Sequence, residues 1–347
     1  MRVKVKADNP LEWMGLVSGM VPVPLVEAFM GMGQCRVLLT ACRLGVFDAI
    51  GDGELTAEEL AEKLDTHPDG TRTLLAALNG FGYVKRRQGK VRNSAAANKW
   101  LRRDSPKSTL DTMLFIGDLW ERMSNLDEAV RSGGLPRFHD GMPAEVWGRY
   151  VRGLAAFARI AAGEAVRKVK LPRPPARLLD VGGGHGMFSC GFCRKYPELT
   201  AEVFDLPEVA DHGRALVADE EGGDRVSYRP GDMRTDDWGE GHDLVLIFNV
   251  LHNATADESA AAVRSALSAL SPGGTLAIFD AEHKETTGNL SPTAGFNELF
   301  FFMLSGAQAW PEETMRGWMT DAGFGRIRTG RLMTLPGVLL MAERPAD

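Results

Sequence analysis

The stretch "ARLLDVGGGHGMFSCGF" (Ala176–Phe192) decides the fold. Four glycines fall within the five positions from Gly182 to Gly186, directly behind a short apolar run. Arg177–Val181 reads as a strand and Phe188–Tyr196 as a helix stopped by Pro197. Strand, glycine turn and helix in that order open a doubly wound sheet, whose ligands bind at the loop behind the strand. Glycines let that backbone turn sharply and approach a ligand. The free N–H groups of the next helix face the same spot.

The rhythm continues downstream. Thr200–Leu206, Arg225–Met233, Asp243–His252 and Thr275–Glu282 read as strands, with helices at Glu208–Ala218 and Ala256–Leu270. Near-continuous apolar strands alternating with helices predict a parallel sheet covered on both faces. The last stretch, "GRIRTGRLMTLPGVLLMAERP" (Gly325–Pro345), reads as two strands around Pro336–Gly337. They are too close in sequence for a crossover, so an antiparallel edge is expected.

Upstream the chain reads mostly as helix. The proline-rich "LPRPPAR" (Leu171–Arg177) lies near the expected boundary between domains at 1–165 and 166–347. Val26–Ile50 is apolar nearly all round, so either its own domain or a second copy of the chain must cover it. An intertwined homodimer explains it best. In Leu55–Ser94, Thr56 and Glu59 form a capping-box pattern. A helix to Leu64, a second opened by Pro68 and Asp69, and a hairpin around Gln88–Gly89 together make a winged-helix pattern.

The 347 residues are 44% hydrophobic and 25% charged, with a net charge of −6, ordinary for a globular protein. The acidic balance argues against a protein built to hold nucleic acid. A basic run (Arg72, Lys85, Arg86, Arg87, Lys90, Arg92, Lys99, Arg102, Arg103) within a winged-helix pattern nevertheless invites a DNA-binding reading. Four cysteines are too few for a disulfide scaffold and fit a reducing compartment. Trp13–Val26 carries no charge, but Pro22 and Pro24 interrupt it and it is shorter than a membrane span of about 20 residues. A soluble cytoplasmic protein is expected. Cys190 and Cys193 lack a second pair, so they read as core side chains and no metal is expected.

Asp205 ends the second strand about 20 residues beyond the loop, where a carboxylate takes both hydroxyls of a ribose. The dinucleotide pattern G-x-G-x-x-G fails, because Met187 or Ser189 stands where the third glycine belongs. This weighs against NAD. Gly231-Asp232-Met233 offers a carboxylate for an adenine amino group and an apolar side chain for its face, and Phe248 a stacking surface. The combination favours S-adenosylmethionine, with S-adenosylhomocysteine as product.

"LLDVGGGHG", "VFDLPEV", "YRPGDM", "FNVLHN" and "LSPGGTLAIFD", in this order, resemble the plant- and bacterial-type small-molecule O-methyltransferases, which include the caffeate, flavonoid and hydroxyindole enzymes. The likeness covers nearly the whole chain. It implies an α/β Rossmann-like methyltransferase domain preceded by a helical winged-helix dimerisation domain. It places the cofactor on Gly182, Gly183, Gly184, Gly186, Asp205, Leu206, Asp232 and Met233. Phe248 stands where the family commonly has Lys. His252 would be the general base, an imidazole taking a phenol proton as the hydroxyl attacks the sulfonium methyl. Acceptor contacts fall on Met113, Phe115, Trp120, Leu154, Phe157, Asn249, Asn253, Phe300 and Met303, an apolar and aromatic lining suited to a flat ring.

The base motif departs from the family's "H-D-W". Asn253 and Ala254 follow His252, the family's first acidic partner aligns near Asp280, a shorter acid, and the second falls near Ala309. His252 is therefore expected to lack a full supporting shell. Methylation at carbon or nitrogen, a non-transfer role with bound S-adenosylmethionine, and a nucleoside-responsive DNA-binding regulator stand as alternatives.

Overall fold

The computed structural model describes residues 5–286 and 289–346. The chain divides into two units between Gly117 and Asp118.

The first unit holds α1 (Pro10–Val17), α2 (Val23–Leu44), α3 (Val46–Ile50), α4 (Ala57–Leu64), α5 (Pro68–Gly80), β1 (Val84–Arg87), β2 (Lys90–Asn93), α6 (Ala95–Trp100) and the start of α7 (Leu110–Met123). The apolar helix expected over 26–50 is two helices, because Gly45 at φ 75° ends α2 in a left-handed cap. Within α2 only Leu39, Ala41 and Cys42 are buried. Leu25, Phe29 and Met32, on successive turns, are 65%, 67% and 54% exposed. By length and composition α2 is also apolar enough to cross a membrane. Thr56 and Glu59 form both bonds of the capping box. Gln88 and Gly89 have φ of 49° and 80°, the positive pair that a two-residue hairpin turn requires. Leu60, Leu75, Leu78, Val84 and Val91 build this unit's core.

The second unit holds α8 (Leu126–Ser132), α9 (Ala144–Lys168), β3 (Arg177–Val181), α10 (Met187–Lys195), β4 (Thr200–Asp205), α11 (Pro207–Val217), β5 (Val226–Pro230), β6 (His242–Phe248), α12 (Ala256–Ala269), β7 (Leu270–Asp280), the short pair β8 (Glu285–Thr286) and β9 (Asn289–Leu290), α13 (Pro292–Ser305), α14 (Glu312–Ala322), β10 (Arg328–Arg331) and β11 (Val338–Glu343). The large sheet runs β10-β11-β7-β6-β3-β4-β5. β7, β6, β3, β4 and β5 are parallel, while β11 and β10 add the expected antiparallel edge. Alternate residues feed two cores. Leu178, Leu244 and Leu246 meet the alanine-rich face of α9 and the apolar side chains of α10. Leu179, Val181, Val245 and Ile247 meet α12 and α14. This explains why the division precedes the proline-rich connector: α9 gives its small-residue face to α10 and belongs with the sheet.

From β3 the chain builds β4 and β5 on one side, then returns to place β6 on the other. The carboxyl ends of β3 and β6 therefore flank a topological switch point, where such sheets bind ligands. One strand end differs from expectation. β6 stops at Phe248; Asn249 takes φ 58°, and His252 sits in a one-turn 3-10 helix, Leu251–Asn253.

Candidate active site

The glycine loop opens the site. Asp180 lies beneath it, fully buried, and accepts a hydrogen bond from the Ser189 hydroxyl at 2.7 Å. Burial pushes its carboxyl up to about 7. A Cβ on Gly183 would stand 2.5 Å from this carboxyl, and one on Gly186 2.6 Å from both the Tyr228 hydroxyl and Val217. Those glycines make room for the protein's own side chains. Gly184 differs: a Cβ there would meet nothing closer than the Asp205 carboxylate at 3.8 Å. Of the four it is the one whose surface is open to a ligand. The Tyr228 hydroxyl supports the loop by donating to the Gly184 carbonyl at 3.1 Å.

Asp205 closes β4 opposite. One oxygen accepts the Gly184 N–H and the other the Leu206 N–H, each at 2.7 Å. Burial raises its carboxyl to about 6, against those two bonds. Each oxygen keeps a lone pair, so the carboxylate can still accept two ribose hydroxyls. Asp232 stands at the neighbouring strand end, connected through the Gly231 N–H bond to the Asp205 carbonyl at 2.9 Å. Its carboxylate holds the Arg234 guanidinium at 2.6 Å, which keeps it below the usual carboxylate range. Met233 packs half-buried on the core. This set fits an adenine nucleoside: a backbone cradle, a ribose carboxylate, an adenine carboxylate and an apolar face.

Phe248 does not offer the expected stacking face. Its ring is 5% exposed and pinned edge-on by Phe188 and Phe279, with centroids 5.0 and 5.8 Å away. Leu244 and Leu246 of β6 point into the α9–α10 core, and Phe248 ends that row.

At the β6 edge, His252 has the support that the motif's departure argued against. Its Nδ1 lies 2.6 Å from Asp280 Oδ1. The Asp280 carboxylate also accepts the main-chain N–H groups of Val250, Leu251 and Ala281 at 3.1, 2.8 and 2.7 Å. A carboxylate so surrounded by donors is an acceptor, so Nδ1 is the donor of this pair, and in the neutral imidazole that leaves the lone pair on Nε2. The shorter acid suffices because the His252 turn folds back over the end of β7. Phe301 of α13, which sequence reading passed over for its neighbour Phe300, stacks on the imidazole at 4.0 Å and 22°. Ala309 is buried among Phe301, Phe300 and Ala281, so an apolar cluster stands where the second acid would be.

The expected acceptor contacts scatter more. Phe300 stacks on Phe296 at 5.8 Å and touches Phe301. Met303 is 1% exposed, so its side chain belongs to the core and lines no open face. Met113 packs with the first unit's core and Phe115 is buried. Trp120 and Leu154 are half-buried, and Phe157 projects at 45% exposure. Asn249 and Asn253 flank the His252 turn, the first donating its N–H to the Phe279 carbonyl at 2.7 Å. Cys190 and Cys193 are buried in α10, and burial raises their thiols to about 12 and 11. In the basic run, Arg72 pairs with Glu58 and Asp69, and Arg102 with Asp52 and Asp104. Arg92 and Arg103 also face carboxylates, Glu54 and Asp111.

A glycine loop and two strand-end carboxylates with the chemistry to suit a nucleoside stand at the switch point of a doubly wound sheet, with the His252–Asp280 pair at the next strand end. Comparison with known proteins sharpens this. The O-methyltransferase domain pattern matches residues 132–325, and the O-methyltransferase dimerisation domain pattern matches residues 26–103. The 3-hydroxy-5-methyl-1-naphthoate 3-O-methyltransferase of Streptomyces sahachiroi is 26% identical over 91% of this chain and 93% of its own. The tetracenomycin polyketide synthesis 8-O-methyl transferase of Streptomyces glaucescens is 28% identical over 93% of this chain and 97% of its own. Human N-acetylserotonin methyltransferase, solved in complex with S-adenosylmethionine, shares the fold with a TM-score of 0.83 at 20% identity, covering 98% of this chain and all of that one. The chain belongs to the O-methyltransferase family and carries its dimerisation domain. It is an S-adenosylmethionine-dependent methyltransferase.

Proposed function

We propose that this enzyme methylates a hydroxyl of a small aromatic secondary metabolite, with His252 as general base. The observation that carries the reading is the His252–Asp280 pair, with Nε2 unbonded by Asp280, at the switch point beside Asp205 and Gly184. The naphthoate and tetracenomycin enzymes among its relatives support an aromatic hydroxyl acceptor.

S-adenosylmethionine, when bound, supplies a methyl group on a sulfonium, open to a single in-line displacement. The chain's residues do the rest. Gly184, Asp205 and Leu206 hold the ribose side, and Asp232 and Met233 the adenine. Phe301 fixes the imidazole plane. His252 Nε2 takes the hydroxyl proton, and Asp280 balances the charge left on the ring. Positioning contributes as much as basicity. The first unit pairs two chains into a homodimer through its exposed apolar face, and the protein works in the cytoplasm.

The test is mass spectrometry of hydroxyaromatic acceptors incubated with S-adenosylmethionine, wild type beside His252→Ala. Loss of general-base catalysis costs about 10²–10⁴-fold, so turnover falls by more than about tenfold. Equal rates at several pH values would remove the base role.

A further inference from the structure

A second imidazole lies between the cofactor side of the site and the base. His139 follows α8 in the loop before α9. Its ring stacks on Trp147 at 5.4 Å and 16°, and meets Tyr150 and Phe138 edge-on at 5.2 and 5.8 Å. Trp147 and Tyr150 pack in turn against Leu206 and Val209, directly behind Asp205. On the other side the Phe138 N–H donates to the Leu304 carbonyl at 2.6 Å. Leu304 lies one turn of α13 beyond Phe301, the ring stacked on His252. His139 is thus held among three aromatic rings, and its neighbour Phe138 is tied to the helix that covers the base.

Three rings pack around it, yet among the described residues no hydrogen bond reaches either ring nitrogen. A half-buried polar group in an aromatic setting takes its partner from water or ligand. The surrounding charge says which ligand. Arg122 is bonded to the main-chain carbonyls of Pro136, Met303 and Leu304, not to a carboxylate. Arg122 and Arg137 act on His139 with positive charge, Arg137 while also paired with Glu258 at 3.4 Å, and Asp140 opposes them. Burial and these cations hold the imidazole down at about 4. At neutral pH it is therefore an uncharged ring able to donate one N–H into a positive field.

We propose that His139 selects the acceptor, donating its ring N–H to an oxygen-bearing substituent, a carboxylate or carbonyl, next to the hydroxyl that is methylated. The enzyme then prefers ortho-acidic hydroxyaromatics to bare phenols. This rests on the acceptor lying beside His252.

The test compares 1-hydroxy-2-naphthoate with 1-naphthol, which differ by one carboxylate, by calorimetric binding to enzyme saturated with S-adenosylhomocysteine at neutral pH. Wild type should bind the carboxylate at least tenfold more tightly. His139→Phe should bring the two probes within threefold of each other, and His139→Gln, which keeps an N–H, should retain part of the gap. S-adenosylhomocysteine affinity and melting temperature, read alongside, identify a variant that has lost its fold; the Gln variant then decides. A gap that survives in His139→Phe, no gap in wild type, or no binding of either probe at millimolar concentration would overturn the proposal. His252→Phe separates the premise: if it leaves both affinities unchanged, the placement of the acceptor fails instead.

Discussion

At the scale of single residues, the site is a set of side chains whose neighbours decide their chemistry. Asp280 is the clearest. It binds three main-chain N–H groups and His252 at once, so it holds both the turn and the ring. Asp280→Asn should lower turnover by about 10²-fold, on the scale of a disabled base, while S-adenosylhomocysteine binding, read by calorimetry, stays within a few fold. Full turnover in that variant would show that the pairing does not serve catalysis. Asp205 makes a second prediction. Ribose hydroxyls donate to the ionised form, and burial raises its carboxyl to about 6. Cofactor affinity should therefore be full above about pH 7 and weaken as pH falls through 6. A flat affinity from pH 5 to 8 would mean the carboxylate is not the ribose ligand.

At the scale of elements, the loop between β3 and α10 and the turn after β6 do the positioning. Gly186 has φ 70° and no room for a Cβ beside Tyr228 and Val217. Gly186→Ala should destabilise the protein by roughly 1–3 kcal/mol, from backbone strain and overpacking, and weaken S-adenosylhomocysteine at least tenfold; thermal melts and calorimetry check both. The loop before α9 carries a pH signature. His139 is held at about 4 against an ordinary 6.5. Below 6.5 the unfolded chain takes up a proton that the folded one refuses until about 4. Its contribution to stability is thus complete above pH 6.5 and is lost as pH falls toward 4. The melting temperature of wild type relative to His139→Gln should drop between pH 7 and 4.5. An unchanged difference would place His139 in an environment that does not resist charge.

At the scale of the molecule, α2 presents Leu25, Phe29 and Met32 outward, a contiguous apolar stripe on a family dimerisation domain. Exposed apolar patches of this kind mark association surfaces. Light scattering at micromolar concentration should give twice the chain mass, and a Phe29→Asp, Met32→Asp double variant should give the single mass. A monomeric wild type would contradict the homodimer.

Much of this was legible in the residues. The alternation of apolar strands with helices sets the parallel sheet, because a strand buried on both faces cannot show a polar side. The spacing of Gly182–Gly186, Asp205 and Gly231–Met233 puts these residues at the ends of neighbouring strands, where the structure has them, since strand ends recur at intervals that the fold dictates. Three things needed the tertiary structure. Asp280 reaches His252 because Asn249 turns left-handed and folds the 3-10 turn over the end of β7, a backbone path that residue spacing does not encode. Phe248 belongs to the core because the pleat of β6 aims it there. His139 is one of seven histidines spread along the chain, 113 positions before His252 (252 minus 139), with no motif around it. It enters the site through contacts of its loop with α13 and α9, distant in sequence. Local patterns carry element type and strand order; which side chains meet is decided where elements cross.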